Sequence, residues 1–185
     1  MIRVFNKFEP IPAGYVEVDT TSRGPFKDLS PFYLGPYSWW DDAHGQMVCQ
    51  RFENLWQYSK VYQQHTTNGE PNDAYYTWRA QGFAKLRADR YPMGKGAKPL
   101  YSLVNNRMCD YVTARKTLYA PVYAELVLRT KSYAMLYDWV LQGRDIALRD
   151  FDGYDHQARN MTLRDVINNP HNKCGHAFVI YGLLT

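Results

Sequence analysis

The sequence predicts a mainly α protein: one compact helical domain, residues 1–185, with a short β element at its N-terminus. Two observations carry that expectation. Apolar residues recur at helical spacing through several segments, at about 51–64, 73–88, 111–129, 132–142 and 174–184. Strand-like alternation is confined to residues 2–8 and to Tyr15-Val16-Glu17-Val18. The 185-residue chain is 45% hydrophobic and 22% charged, so it has the composition of an ordinary globular domain and the length to bury a core.

The elements follow in order. After the two short β segments, residues 19–50 hold Gly24, Pro25, Pro31, Gly35, Pro36 and Gly45 and read as loop and turns. Trp39 and Trp40 in this stretch are expected to cover the core, because an indole buries a large area. The first helix is expected over about 51–64. A second starts at the N-cap Asp73 and runs to about 88 with Tyr76, Trp78, Phe83 and Leu86. Asp110 caps a third over 111–129, which Pro121 should kink or divide. Ser132 caps a fourth whose apolar face is Tyr133, Leu136, Tyr137, Val140 and Leu141, with Gly143 as its stop. Asp145–Asp150 reads as a short extended segment. Thr162-Leu163-Arg164-Asp165 is a capping-box pattern opening a helix that stops before Pro170. The apolar run Cys174–Leu184 makes a buried C-terminal helix.

Composition narrows the function. Sixteen Tyr, eight Phe and five Trp can fill a core or line a site that stacks bases or sugars. A net charge of +4 favours phosphate-bearing ligands mildly, short of a dedicated DNA-binding patch. Cys49, Cys109 and Cys174 lack zinc spacing and read as reduced thiols. Met1–Lys7 carries no signal-peptide apolar region and no run is long enough to span a membrane, so a cytoplasmic setting with no membrane partner is expected.

Four groups of residues could carry chemistry. In Glu53-Asn54-Leu55-Trp56-Gln57-Tyr58-Ser59-Lys60, a helix puts Glu53, Gln57 and Lys60 on one stripe bordered by Trp56. That stripe is either the floor of a polar-ligand pocket or a solvated face. The loop 90–98 sets Arg90, Lys95 and Lys98 around Gly94 and Gly96. It suits a phosphate without being a Walker loop, or it is a solvated basic turn. Asp150-Phe151-Asp152-Gly153-Tyr154-Asp155-His156 gathers carboxylates that could supply a general base or a hard-cation site, or form an exposed acidic turn. Asn172-Lys173-Cys174-Gly175-His176 leads into the last helix, with Asn172 as a plausible N-cap and His176 more in keeping with a structural histidine.

Taken in order, these segments resemble the NADAR superfamily of predominantly helical N-glycosidases. Leu29-Ser30-Pro31-Phe32 stands where that family has an early Phe-Ser-x-Phe-like turn. Glu53 to Lys60 matches its Glu-x-x-aromatic-Gln-x-x-Lys helix. Met93-Gly94-Lys95 and Lys98-Pro99-Leu100 look like its glycine loop, with Lys in place of Arg. Arg149-Asp150-Phe151-Asp152-Gly153 is similar in place to its acidic segment, and Asn172-Lys173-Cys174-Gly175 to its closing helix start. The resemblance spans about residues 29–184. It lacks the family's Trp-Gly/Asp element and carries an insert around 64–90.

The resemblance implies a divergent phage or bacterial member that hydrolyses an N-glycosidic bond to ribose, in a ribosylated nucleotide or an ADP-ribosylated base. Glu53 would stabilise the oxocarbenium-like charge or activate water, with Asp150 or Asp152 as second carboxylate. Trp56 would stack on the base or ribose, and Gln57 would bond ribose hydroxyls or the base edge. Lys60, Arg90 and Lys95, with Gly94, would hold phosphate, and Asn172 would join substrate binding. No metal or cofactor is needed. The expected partner is a nucleotide or ADP-ribose-type small molecule. Two alternatives stay open: a non-catalytic module binding ADP-ribose or a nucleotide, and an enzyme acting on ADP-ribosylated or modified bases of DNA or RNA.

Overall fold

The structure is a computed structural model that describes residues 1–41 and 44–185. In chain order its first elements are β1 (Ile2–Asn6), β2 (Val16–Asp19), β3 (Tyr37–Asp41), β4 (Gly45–Cys49), α1 (Phe52–Tyr58), β5 (Lys60–Val61), β6 (Thr66–Thr67), β7 (Glu70–Pro71) and α2 (Asp73–Ala84). Then come β8 (Tyr101–Val104), β9 (Arg107–Cys109), α3 (Tyr111–Ala114), α4 (Ala120–Val127), α5 (Lys131–Leu141), β10 (Ile146–Asp150), α6 (Leu163–Asn168) and α7 (His176–Leu184). A π-helical turn, Arg115–Tyr119, joins α3 to α4.

With 39% helix and 20% strand, the fold is mixed α/β, which corrects the mainly α expectation. The strands missed from sequence are short hairpin arms. Inside the stretch read as loop, β3 and β4 pair antiparallel from Tyr37↔Cys49 to Asp41↔Gly45. Trp40 there is 64% exposed, so it does not cover the core; Asp42 lies outside the described residues. β6 and β7 flank Asn68-Gly69, and β8 and β9 flank Asn105-Asn106. Both residues of each pair have positive φ, the geometry that closes a two-residue hairpin with the twist of its strands.

Helix ends shift for local reasons. α1 stops at Tyr58 because β8 captures the next backbone: Leu103 N donates to Ser59 O (2.7 Å) and Leu100 N to Val61 O (2.8 Å). Asn72, not Asp73, caps α2 by accepting from Tyr75 N (3.2 Å). Asp110 caps α3 as expected, its Oδ1 accepting from Thr113 N (2.7 Å). The wide turn 115–119 sits directly ahead of Pro121, where a ring without an N–H crowds the preceding turn. Thr130, not Ser132, caps α5. Gly143 does stop it: Gly143 N donates to Val140 O and Arg144 N to Trp139 O, a closure that needs the left-handed φ of +73° at Gly143. The capping box of Thr162 and Asp165 is formed in full.

The chain divides into two compact units. Unit 1 is residues 1–33 with 120–185. Its three-stranded sheet is parallel, ordered β1-β10-β2. Val4, Val18, Ile146 and Leu148, which the register sets on one face of the sheet, are fully buried. α7 packs against β1, β10 and α4. Unit 2 is residues 34–119. Here α1 packs against α2, β4 and β5, and every residue from Phe52 to Tyr58 is buried. Among the described residues no helix is long and apolar enough to cross a membrane.

Candidate functional site

The burial of α1 decides between the two readings of its polar stripe. Glu53 is 7% and Gln57 8% exposed, so neither belongs to a solvated face. Buried polar groups are stable only when hydrogen-bonded, and these two bond each other. Gln57 Nε2 donates to Glu53 Oε1 at 2.8 Å, across one helical turn. Lys60 is no longer on the helix; it opens β5. Ser59 keeps helical angles, however, so Lys60 still lies one turn above Gln57 and its Nζ donates to Gln57 Oε1 at 2.8 Å. The amide thus turns its nitrogen to the carboxylate and its oxygen to the ammonium, the one orientation that serves both.

Lys60 is held tightly. Its Nζ lies 5.0 Å from the centre of the Trp56 ring, a cation–π contact. Burial pushes its ammonium down to about 8, against the partial support of Glu53's negative charge. A lysine in that range populates both acid and neutral amine near neutral pH. That suits proton transfer better than the phosphate-holding role expected from sequence.

An aromatic wall surrounds this centre. Trp56, 8% exposed, meets Tyr119 edge-to-face at 5.0 Å and Tyr111 at 6.1 Å, while Phe52 meets Tyr119 at 5.2 Å. The guanidinium of Arg115, 1% exposed, sits 4.5 Å over the Tyr111 ring. Tyr111, at 43%, is the solvent-facing member. Sequence reasoning overlooked Tyr111, Arg115 and Tyr119. Their signal was present, since positions 111, 115 and 119 repeat every four residues along one helical face.

The other expected site residues are placed as follows. Arg90, Gly94 and Lys95 lie on an exposed loop of unit 2, where Gly94 N donates to Tyr91 O (3.0 Å) and Gly94 and Gly96 hold φ of +91° and +89°. Arg90 packs over the Tyr91 ring at 5.5 Å. Asp150, Asp152 and Asn172 belong to unit 1.

Asp150 is 3% exposed and its oxygens are committed to the fold. Oδ2 accepts from Ala177 N (3.2 Å) and faces His176 Nδ1 (3.1 Å), while Oδ1 accepts from Asp152 N (3.2 Å). His176 Nε2 in turn meets Thr20 O at 2.8 Å. This pins the start of α7 to the end of β10, and a Cβ at Gly175 would overlap the Asp150 carboxylate. Burial, with Asp150 and Asp28 nearby, drives the Tyr123 phenol well above its usual range. Asp152 pairs on the surface with Lys173 (3.0 Å), and Asp155 with Arg3. The acidic segment is therefore spent on separate partners rather than gathered into one cluster. Asn172 does not cap α7; Gly175 holds that position, and Asn172 N instead donates to Asn169 Oδ1 (3.3 Å).

No protein-family model, curated protein or solved structure matches this chain. Among the described residues, no group of three or more His, Cys, Asp or Glu side chains is arranged to hold a metal ion.

Proposed function

We propose that the Glu53–Gln57–Lys60 centre is the reaction centre of an N-glycosidase acting on a ribosylated nucleotide or an ADP-ribosylated base. The observation that carries the reading is the buried carboxylate tied through one amide to a half-buried, desolvated lysine held near 8. The ordered motifs that resemble the NADAR superfamily point the same way.

In the proposed reaction, the bond from ribose C1′ to the base nitrogen breaks and its electron pair leaves with the base. Positive charge develops on the ribose ring, and the Glu53 carboxylate stabilises it in a site of low dielectric. The Lys60 ammonium gives its proton to the departing nitrogen. Water adds at C1′ and surrenders a proton to the amine, so base and ribosyl product leave with one water consumed. Gln57 keeps the two charged groups in register. Tyr111 offers the exposed ring on which a base or ribose can rest, since Lys60 covers a face of Trp56. Arg90 and Lys95 remain the phosphate-holding candidates. Asp150 is assigned to holding α7 in place, and no cofactor takes part.

The test is a mass-spectrometric hydrolysis screen. It offers ADP-ribose, NAD, ribosylated pyrimidine intermediates and ADP-ribosylated guanine in DNA to wild type and to Glu53→Gln. Release of a base or of ADP-ribose by wild type is expected, with the variant slower by about a hundredfold or more, the usual share of a positioned acid–base or charge-stabilising group. Equal turnover by both proteins would overturn the assignment. Ligand-induced thermal stabilisation without turnover would leave a binding module instead.

A further inference from the structure

Unit 2 carries a cleft of about 550 Å³ lined by residues outside the Glu53 centre. One wall is the indole of Trp40 at the end of β3, a flat ring left 64% exposed. Another is the β8–β9 turn, which brings the amide of Asn105 and the guanidinium of Arg107. The third is the helix bearing Thr113 and Thr117, and Val104 and Cys109 make an apolar floor.

The hydrogen bonds within the walls define what the cleft can recognise. Thr117 Oγ1 donates to Thr113 O (2.8 Å), and the Thr113 hydroxyl bonds the Asp110 carboxylate. A hydroxyl whose hydrogen is already committed can only accept. The helix wall therefore offers acceptors, which call for a ligand with N–H donors. In the same cleft, the exposed indole of Trp40 is a platform for a planar ring. Among the described residues no carboxylate lies within ion-pair distance of Arg107, which leaves its fork of donors for an anionic oxygen pair. Planar ring, ring-edge donors and anion together describe one nucleotide whose base carries an exocyclic amine.

We propose that this cleft binds such a nucleotide unit, base on Trp40 and phosphate on Arg107, independently of the Glu53 centre. The unit can come from a free mononucleotide or from a single strand of nucleic acid.

Isothermal titration calorimetry with AMP, UMP and a short oligodeoxyadenylate separates the cases. Wild type, Trp40→Ala, Arg107→Gln and Glu53→Gln are compared, with thermal melts to check folding; both cleft residues are exposed, so their loss should leave the fold intact. AMP or the oligonucleotide is expected to bind, with UMP weaker. Trp40→Ala should weaken binding by at least about tenfold, as loss of a stacking platform does. Arg107→Gln should reduce the salt dependence, and Glu53→Gln should leave affinity unchanged. Tighter binding of AMP names the free nucleotide as the source, and tighter binding of the oligonucleotide names the strand. No binding of either probe overturns the proposal. So does binding that ignores both cleft variants, or binding lost only in Glu53→Gln, which would put the nucleotide at the reaction centre.

Discussion

Single side chains show how closely this protein is fitted around α1. A Cβ at Gly82 would overlap the Cγ, Cδ1 and Cε1 atoms of Tyr58. That ring cannot swing away freely, because its hydroxyl donates to Asp89 Oδ2 (2.5 Å) and its face lies 4.4 Å from Trp78. In an open helix Gly→Ala would gain up to about 1 kcal/mol. Here the overlap outweighs that gain, and Gly82→Ala should destabilise by about 1–3 kcal/mol in urea melts. Lys60 makes a second prediction, with a sign. Its ammonium ionises near 8 in the fold, against 10.5 for an ordinary lysine. Between those values the unfolded chain binds a proton that the native state has released, so stability contributed by this site rises with pH across that window. Below about 8 both states are protonated and the fold bears the full cost of a desolvated charge. Lys60→Met should remove the rise, as read from melts at several pH values between 7 and 10.5.

At the scale of elements, the helices were the legible part. Apolar periods placed α2, α5, α6 and α7 within a few residues of where they stand. The capping box of Thr162 was readable as written, whereas the caps of α2, α5 and α7 fall on Asn72, Thr130 and Gly175 instead of Asp73, Ser132 and Asn172. Of the strands that escaped, β5 to β9 are two to four residues long, too short for alternation to register, and β3 and β4 lie in a stretch whose Gly and Pro read as loop. Asn68-Gly69 and Asn105-Asn106 carried the hairpin signal instead, in residues that accept positive φ. The tether from α1 to the segment after α2 was not legible at all, because it rests on a buried amide reaching across sequence. Asn54, fully buried, donates to Arg87 O (3.0 Å) and Lys85 O (3.4 Å) and accepts from Asp89 N (2.7 Å). Asn54→Ala should cost about 1–3 kcal/mol by stranding those groups. It should also speed amide hydrogen exchange at 85–89, whereas unchanged exchange there would show that the segment is held by other contacts.

Across the whole molecule, the N-terminal strand β1 and the late strand β10 pair side by side, Ile2↔Ile146 to Asn6↔Asp150. No local pattern announces a partner so distant, which is why a short N-terminal β element was foreseen and a parallel sheet was not. For the candidate site, the residue types and spacing of the Glu53 stripe were readable, but burial decides their meaning and burial is a property of the assembled unit. The thiols give a test at this scale. Cys49, Cys109 and Cys174 are buried thiols outside any disulfide, and burial pushes the Cys49 thiol up to about 12. A buried, protonated thiol is a poor nucleophile. The native protein should therefore react slowly with a disulfide reagent, and the unfolded chain should react at three thiols; rapid labelling of the native protein would mean the fold opens readily.

The proposed reaction centre depends on a desolvated lysine coupled to a buried carboxylate, and an NMR titration of the Lys60 side chain in wild type and in Glu53→Gln tests that coupling. The expected result is a midpoint near 8 in wild type, moving lower when the supporting negative charge of Glu53 is removed. A midpoint at the ordinary lysine value of about 10.4, unmoved by the substitution, would contradict the reaction centre proposed for this protein.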